Sequence, residues 1–376
     1  MLQSDNALQI KERNYGIDLL RIISMFMVTL QHFCRQGGLV GTPEDGLSFY
    51  ILTAFVVICY GAVDIFALIS GYVMRRSKVK YQNLAGLWFR VFFYSVSLSI
   101  IEYLTLGTNR ILPSLFPVLT RQFWYFSAYF FMFFFIPYFN ELIENLSFKS
   151  NKHFLIVGFF ILCIISNIQK FLSYEVVSIG KGYNVFWLSY CYLVGAFINK
   201  YKDKFNKIDT RKYVASIIVC MTITFVFNSF LYNWRIAIFP NCLPKDFFLV
   251  YTSPTVFIPS VCFLVLFNKI RITCGKKIIK FFSSTAFSVY LIQTHPYLWD
   301  NYLTKYSTFF INPTWYETIG IALVSSIITY LIFTLVDYIR IHIFKLLYID
   351  TLSNVICELL KKIIIKLKCY LISSNL

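Results

Sequence analysis

Charge is what this chain has least of. Only 14% of its 376 residues are charged and its mean hydropathy is +0.64, whereas a soluble domain carries about 25% charged residues. No stretch is long and polar enough to fold as a separate soluble domain. Acidic residues are the scarcest, with 18 Asp and Glu against 35 Lys and Arg. No C-x-x-C pair occurs, and Cys59, Cys163, Cys191, Cys220 and Cys262 lie inside apolar runs. The ten cysteines therefore suggest neither a zinc site nor a disulfide framework. The absence of G-x-S-x-G argues against a Ser–His–Asp hydrolase. No internal repeat is visible, which counts against a transporter built from repeated halves. The polar start through Arg13 has no small-residue cleavage site, so the first apolar run is expected to be a retained span, not a signal peptide.

What is present in abundance is apolar surface: 58% of the residues are hydrophobic and 20% aromatic. Ten runs reach spanning length: Gly16–Cys34, Phe49–Met74, Leu84–Leu106, Phe123–Phe139, His153–Ile168, Val185–Ile198, Tyr213–Tyr232, Phe247–Phe267, Phe281–Trp299 and Ile319–Tyr338. The fifth and sixth are short enough to be kinked or re-entrant. With the N-terminus inside, inner segments collect 25 Lys and Arg and outer loops 8, with Arg21 and Arg90 inside spans. That bias obeys the positive-inside rule. The expected fold is all-α, a polytopic membrane protein of about ten transmembrane helices with both termini cytoplasmic. Residues 1–350 would form the ten-span domain and 351–376 a basic amphipathic cytoplasmic tail, in which Val355, Leu359, Ile363 and Leu367 make an apolar stripe. The net charge of +17 is then mostly topology and attraction to anionic lipid, and needs no nucleic-acid partner.

The first run, GIDLLRIISMFMVTLQHFC, carries three ionisable residues: Asp18, Arg21 and His32. Arg21 and His32 are eleven positions apart, three helical turns plus roughly 20°, so both leave the helix on one face about 16 Å apart. Asp18 lies one turn before Arg21 on that face and can neutralise it. Ionisable groups within a span usually face a protein interior or a wet cavity. On these residues alone an alternative stays open, in which Asp18 caps the helix, Arg21 snorkels and His32 is interfacial. The second run contributes Asp64 at mid-span, expected to face Arg21 or a water-filled cavity. Ser70 and Gly71 near its inner end allow close backbone approach, and Arg75 and Arg76 open a basic strip that topological anchoring alone would also explain.

These stretches resemble the membrane acyltransferase-3 family. Arg21, ten residues and then His32, preceded by Asp18, is similar to the family's first signature, and VDIFALISGY (63–72) to its second. QFWYFSAYFFMFFFIPY (122–138) and FSVYLIQTHP (287–296) resemble later landmarks, so the likeness runs from about residue 14 to about 340. Members are ten-span enzymes, many of which O-acylate bacterial surface polysaccharides, antibiotics or lipids from cytoplasmic acyl-CoA. The resemblance implies that His32 is catalytic and Arg21 its essential partner, with Asp18 beside it. The chain departs from the family in two places. It lacks the Arg-x-x-Arg that often follows the second or third span, leaving Arg75, Arg76, Lys78 and Arg90 as the nearest donor-binding residues. Gln293 stands where a histidine is common, and His295 is the candidate substitute.

The chemistry suits those residues. Acyl transfer from a thioester to a hydroxyl needs a base for the acceptor and positive charge for the developing oxyanion. A neutral histidine serves as base or carries the acyl group itself. Coenzyme A brings phosphates that suit cytoplasmic Arg and Lys. His32 and His295 both fall toward the outer side, which suits delivery to an outward-facing acceptor. The expected protein is thus a multi-pass cell-membrane O-acyltransferase. Acyl-CoA, with acetyl-CoA first, is its donor substrate and a surface polysaccharide or lipid-linked glycan its acceptor; no bound cofactor or metal is expected. The competing readings are a polysaccharide or lipid-intermediate transporter without acyl transfer, and a protein whose buried charges only fix helix packing.

Overall fold

The computed structural model describes residues 13–172, 179–231 and 248–373, and these are helical with no strand among them. The long elements are α1 (Tyr15–Arg35), α2 (Leu47–Cys59), α3 (Ala62–Met74), α4 (Tyr81–Leu106), α5 (Trp124–Phe133), α6 (Ile136–Asn145), α7 (Phe148–Phe159), α8 (Val185–Lys200), α9 (Thr210–Asn228), α10 (Pro254–Lys269), α11 (Lys276–Gln293), α12 (Trp315–Leu346) and α13 (Ile349–Ser373). Each of the ten apolar runs falls on helix, although the ends at Tyr232 and Phe247 lie outside the described residues. By length and composition six helical stretches can cross a membrane. They are α1, α2 with α3, α4, α7 with its continuation to Gln169, α9 and α12. The bent pair α5 and α6 would make seven.

The expected count of ten therefore falls to six or seven on these criteria, for identifiable reasons. The fourth run breaks at Phe134–Phe135 and turns through 60°, with Pro137 in the first turn of α6. Proline lacks the N–H that would continue the ladder and clashes with the preceding turn. Helices α8 and α10 have only 16 residues each, and α11 opens with Lys276, Lys277 and Lys280. The fifth run is continuous through a π-bulge at Phe160–Ile165.

Burial separates a centre from a rim. Two-thirds of the spanning window of α1 (67%) is buried, against 17% for α9 and 22% for α12. The outer faces of those rim helices are the aliphatic rows Val214, Ile218, Ile223 and Val324, Ile328, Leu331, Leu335, as lipid requires. Central α1 packs against α2, α3, α10, α11 and α12. Its start is fixed by Asn14, whose Oδ1 accepts from the Gly16 and Ile17 amides and whose Nδ2 donates to Asn268. A Cβ at Gly16 would lie 2.2 Å from the Phe267 carbonyl oxygen, so only glycine lets α1 meet the end of α10.

The tightest crossing joins α3 to α8. A Cβ on Gly71 would come within 1.8 Å of the Tyr192 carbonyl oxygen, and one on Gly195 within 2.0 Å of that of Leu68. The close approach expected at Gly71 is therefore present, with Gly195 as its counterpart. Ser70 instead turns back to the Phe66 carbonyl, 3.0 Å away. After α12, helix α13 lies against α4, burying Ile349, Ser353 and Cys357 and leaving Val355, Leu359 and Ile363 exposed.

Candidate active site

The face of α1 that carries Asp18, Arg21 and His32 also carries Met25, Val28, Arg35 and Gln36, at steps of three or four residues. The stripe divides into two environments. At its lower end Asp18 is buried and accepts from Arg13 (Nε 2.5 Å, Nη2 3.1 Å), from Arg21 Nη1 (3.4 Å) and from the Ser283 hydroxyl of α11 (3.1 Å). Arg21 also donates to Ser283 Oγ at 3.1 Å, and Tyr125 and Tyr129 of α5 lie within its electrostatic reach. Asp18 and Arg21 thus meet, as their spacing predicts, but the shorter bond to Asp18 comes from Arg13.

Above Arg21 the stripe opens onto a cavity of about 680 Å³. Met25, Val28, His32, Arg35 and Gln36 form one wall. His32 is half-buried, and the Trp299 ring meets its imidazole edge-on at 5.0 Å and 83°. Beside it sits Gln293, buried at the end of α11. Neither polar atom of the Gln293 amide has a hydrogen-bond partner among the described residues, nor has His32 Nδ1.

Three contacts give the cavity a vertical scale. Helix α11 runs alongside α1 in the same direction, since Ser283 meets Asp18 while Gln293 neighbours His32. Segment 60–74 runs the other way: Tyr60 lies under the Arg35 guanidinium, whereas Tyr72 bonds Asn268, which Asn14 also bonds at the foot of α1. The upper cavity is therefore polar, with Arg35, Gln36, Arg110, Gln122, Lys181 and Asp300 around the mouth. There Arg110 bridges Asp300 (2.8 Å) and Glu102 (3.7 Å). Trp124, Tyr183 and Tyr251 add a cluster of rings 4.5–5.8 Å apart. The lower cavity is lined by Met25, Val28, Phe66, Tyr125, Phe287 and Tyr290, with Val63 near the level of His32.

Several residues singled out by sequence sit elsewhere. Asp64 does not face Arg21; it is 1% exposed and its Oδ1 accepts from Trp187 Nε1 of α8 at 2.8 Å. Its neighbours Tyr60, Val63 and Phe66 line the cavity, so helical phase turns Asp64 toward α8 instead. His295 is fully buried and does not line the cavity. Its Nδ1 caps the turn at Pro296–Leu298 by accepting from the Tyr297 amide, and its Nε2 meets the Ser95 carbonyl and the Ser99 hydroxyl. Arg75 is buried, bonding Asn199 at 2.8 Å and pairing with Glu144. Arg76 and Lys78 are exposed beside it. Arg90 stands apart from that strip, reaching the Ser284 carbonyl at 3.4 Å near the Asp337–Arg340 ion pair.

Sequence reasoning missed Trp299, Gln36, Arg110, Lys181 and Tyr125 as cavity residues. For Gln36 alone a local signal exists, since it continues the α1 stripe one turn beyond His32. No group of three His, Cys, Asp or Glu side chains able to hold a metal occurs among the described residues. Residues 14–336 match the family whose description is "Acyltransferase domain", the third acyltransferase family. No curated protein and no solved structure matches the chain.

Proposed function

Since the chain belongs to the acyltransferase-3 family and is a membrane acyltransferase, we propose that it moves an acyl group, acetyl in the simplest case, from cytoplasmic acyl-CoA to a hydroxyl of a surface polysaccharide or lipid-linked glycan. The observation that carries this reading is His32 on the wall of a cavity whose mouth combines aromatic rings with planar and charged polar side chains. Rings offer flat faces to the C–H surface of a sugar. Gln, Arg and Asp at the rim offer the few placed donors and acceptors that orient a ligand.

The chemistry assigned to His32 is proton transfer at the acceptor oxygen. As the acceptor oxygen attacks the thioester carbonyl, the C–O bond forms and its proton passes to the imidazole. When the tetrahedral intermediate collapses, the C–S bond breaks and that proton leaves with the thiolate as thiol. A double displacement places the acyl group on the imidazole first, and the thiol leaves before the acceptor arrives. Trp299 holds the ring from its edge, and Gln293 supplies an amide for a developing negative charge. Arg21, anchored by Asp18 and Ser283, is the cation at the cytoplasmic end of the stripe. The exposed Arg76 and Lys78 are the donor-phosphate contacts nearest to solvent, with Arg90 as a deeper one. On this reading the protein is a multi-pass cell-membrane enzyme in which α8, α10 and α11 complete ten spans and both termini are cytoplasmic. Residues 1–350 then form the catalytic unit and the basic tail rests on anionic lipid.

The test is His32→Ala in cells that carry the acceptor, with mass spectrometry of surface glycans and the amount of folded protein measured together. The wild type is expected to add one acyl mass per modified unit. His32→Ala should lose about 10²–10⁴-fold in rate at normal folded yield, and Arg21→Lys should be severely impaired because lysine lacks the planar fork. More than a tenth of wild-type activity in His32→Ala refutes the assignment.

A further inference from the structure

The cavity is divided by chemistry at the level of His32, and the division says where the acyl chain goes. Above the imidazole stand Arg35, Gln36, Arg110, Lys181 and Asp300; level with it or below are Met25, Val28, Val63, Phe66 and Phe287, together with two phenols, Tyr125 and Tyr290, the hydroxyl of Tyr290 accepting from the Tyr125 amide. In the double displacement, once the thiol has left, the carbonyl carbon of the acyl group carried on His32 has two directions for its chain. The upper one is polar and suits the acceptor. The lower one is apolar and suits an aliphatic chain, each buried methylene favouring it by roughly fourfold.

We infer that this lower half is an acyl-chain pocket and that Met25 is its floor, the residue that sets the length of acyl group the enzyme accepts. The inference rests on the acyl-transfer reading above. Met25 lies two helical turns beneath His32, about 10 Å along the axis. It is buried (2% exposed) yet lines the cavity. The next residue down the stripe, Arg21, does not line the cavity and belongs to the Asp18–Ser283 cluster. Met25 therefore stands between the apolar space and the Arg21 guanidinium, whose side chain is half-buried, and a chain that grows past it meets charge. Phe287 lies one turn above Ser283 on α11, and Phe66 contacts the Tyr125 ring at 6.4 Å. Aromatic rings thus close the sides while a flexible thioether closes the bottom. An unbranched side chain of this kind is the member of the wall most easily replaced by a larger or smaller one.

The test uses membranes containing the full-length protein with the glycans of its own cells, supplied in turn with radiolabelled acetyl-, butyryl- and hexanoyl-CoA. The readout is the ratio of hexanoyl to acetyl incorporated, which a residue with a merely structural role would not move. Met25→Ala should raise that ratio roughly tenfold or more, the scale on which hydrophobic pockets discriminate chain length. Met25→Val should raise it less, Met25→Leu should leave it near the wild-type value because volume is conserved, and Met25→Trp should lower it. A ratio that stays constant across folded variants overturns the assignment of Met25. Absence of incorporation by the wild type from all three donors refutes the acyl-CoA reading instead, and this inference with it.

Discussion

Replacing Arg75 by alanine separates two meanings of the basic strip after α3. The side chain is 2% exposed, donates from Nε to Asn199 Oδ1 at 2.8 Å and pairs with Glu144. It thereby ties the end of α3 to α6 and to α8. Lys200 reinforces the same junction by donating to the carbonyls of Ile143, Glu144 and Leu146 at 2.7–3.0 Å. Deleting a buried partner of an ion pair costs up to about 3–5 kcal/mol when the remaining charge stays dry. Here the Glu144 side chain is 42% exposed and rehydrates, so the loss is closer to that of hydrogen bonds to charged groups, about 1.5–3 kcal/mol. At about 2.1 cal/mol/K of unfolding entropy per residue, 376 residues convert that to a drop in Tm of about 3 °C. Arg76→Ala, at an exposed position, should stay within about 0.5 kcal/mol of wild type. The assay is thermal unfolding of purified protein in one detergent, alongside KM for the acyl donor. An unchanged Tm for Arg75→Ala with a raised KM would refute the packing argument and make Arg75 a donor-binding residue. Glu144→Ala should lower Tm less than Arg75→Ala, and the double variant should be less than additive.

Two further outcomes follow from the same structure. Gly71→Leu should abolish folded protein, because its Cβ alone would lie 1.8 Å from a backbone oxygen of α8; the check is monodispersity after detergent extraction, and a stable Gly71→Leu variant would show that α3 and α8 do not cross there. For topology, single cysteines at Lys207 and Leu119, both exposed, in a background without native cysteines should label from the cytoplasmic and outer sides respectively. Labelling of both from one side would overturn the ten-span arrangement.

Much of the site was legible along the chain because helical phase is a local property. The spacing of Asp18, Arg21 and His32 gives one face of α1 whatever surrounds it, and that face does carry the ion cluster and the cavity wall. Gly71 was legible for the same reason, since a small residue at a helix surface announces an approach without naming its partner. Composition determined the membrane class, because so much apolar surface has no other solvent. Six or seven of the ten runs are long and apolar enough as helices to cross a membrane by themselves, since α8 and α10 are short, and a proline after Phe135 bends the fourth run through 60°.

What only tertiary structure decided is which neighbour each buried polar group meets. Periodicity orients a side chain about its own helix axis but is silent on how the next helix is rotated. Asp64 therefore reaches Trp187, 123 positions away, and not Arg21. Arg75 finds Glu144 and Asn199, and His295 spends its two nitrogens on Tyr297, Ser95 and Ser99. The cavity is the extreme case: its walls come from α1, α3, α5, α11 and the loops that carry Arg110, Lys181 and Asp300. Residues of loops and single short turns have no sustained period to read, so their meeting around one cavity with His32 exists only once the helices have packed.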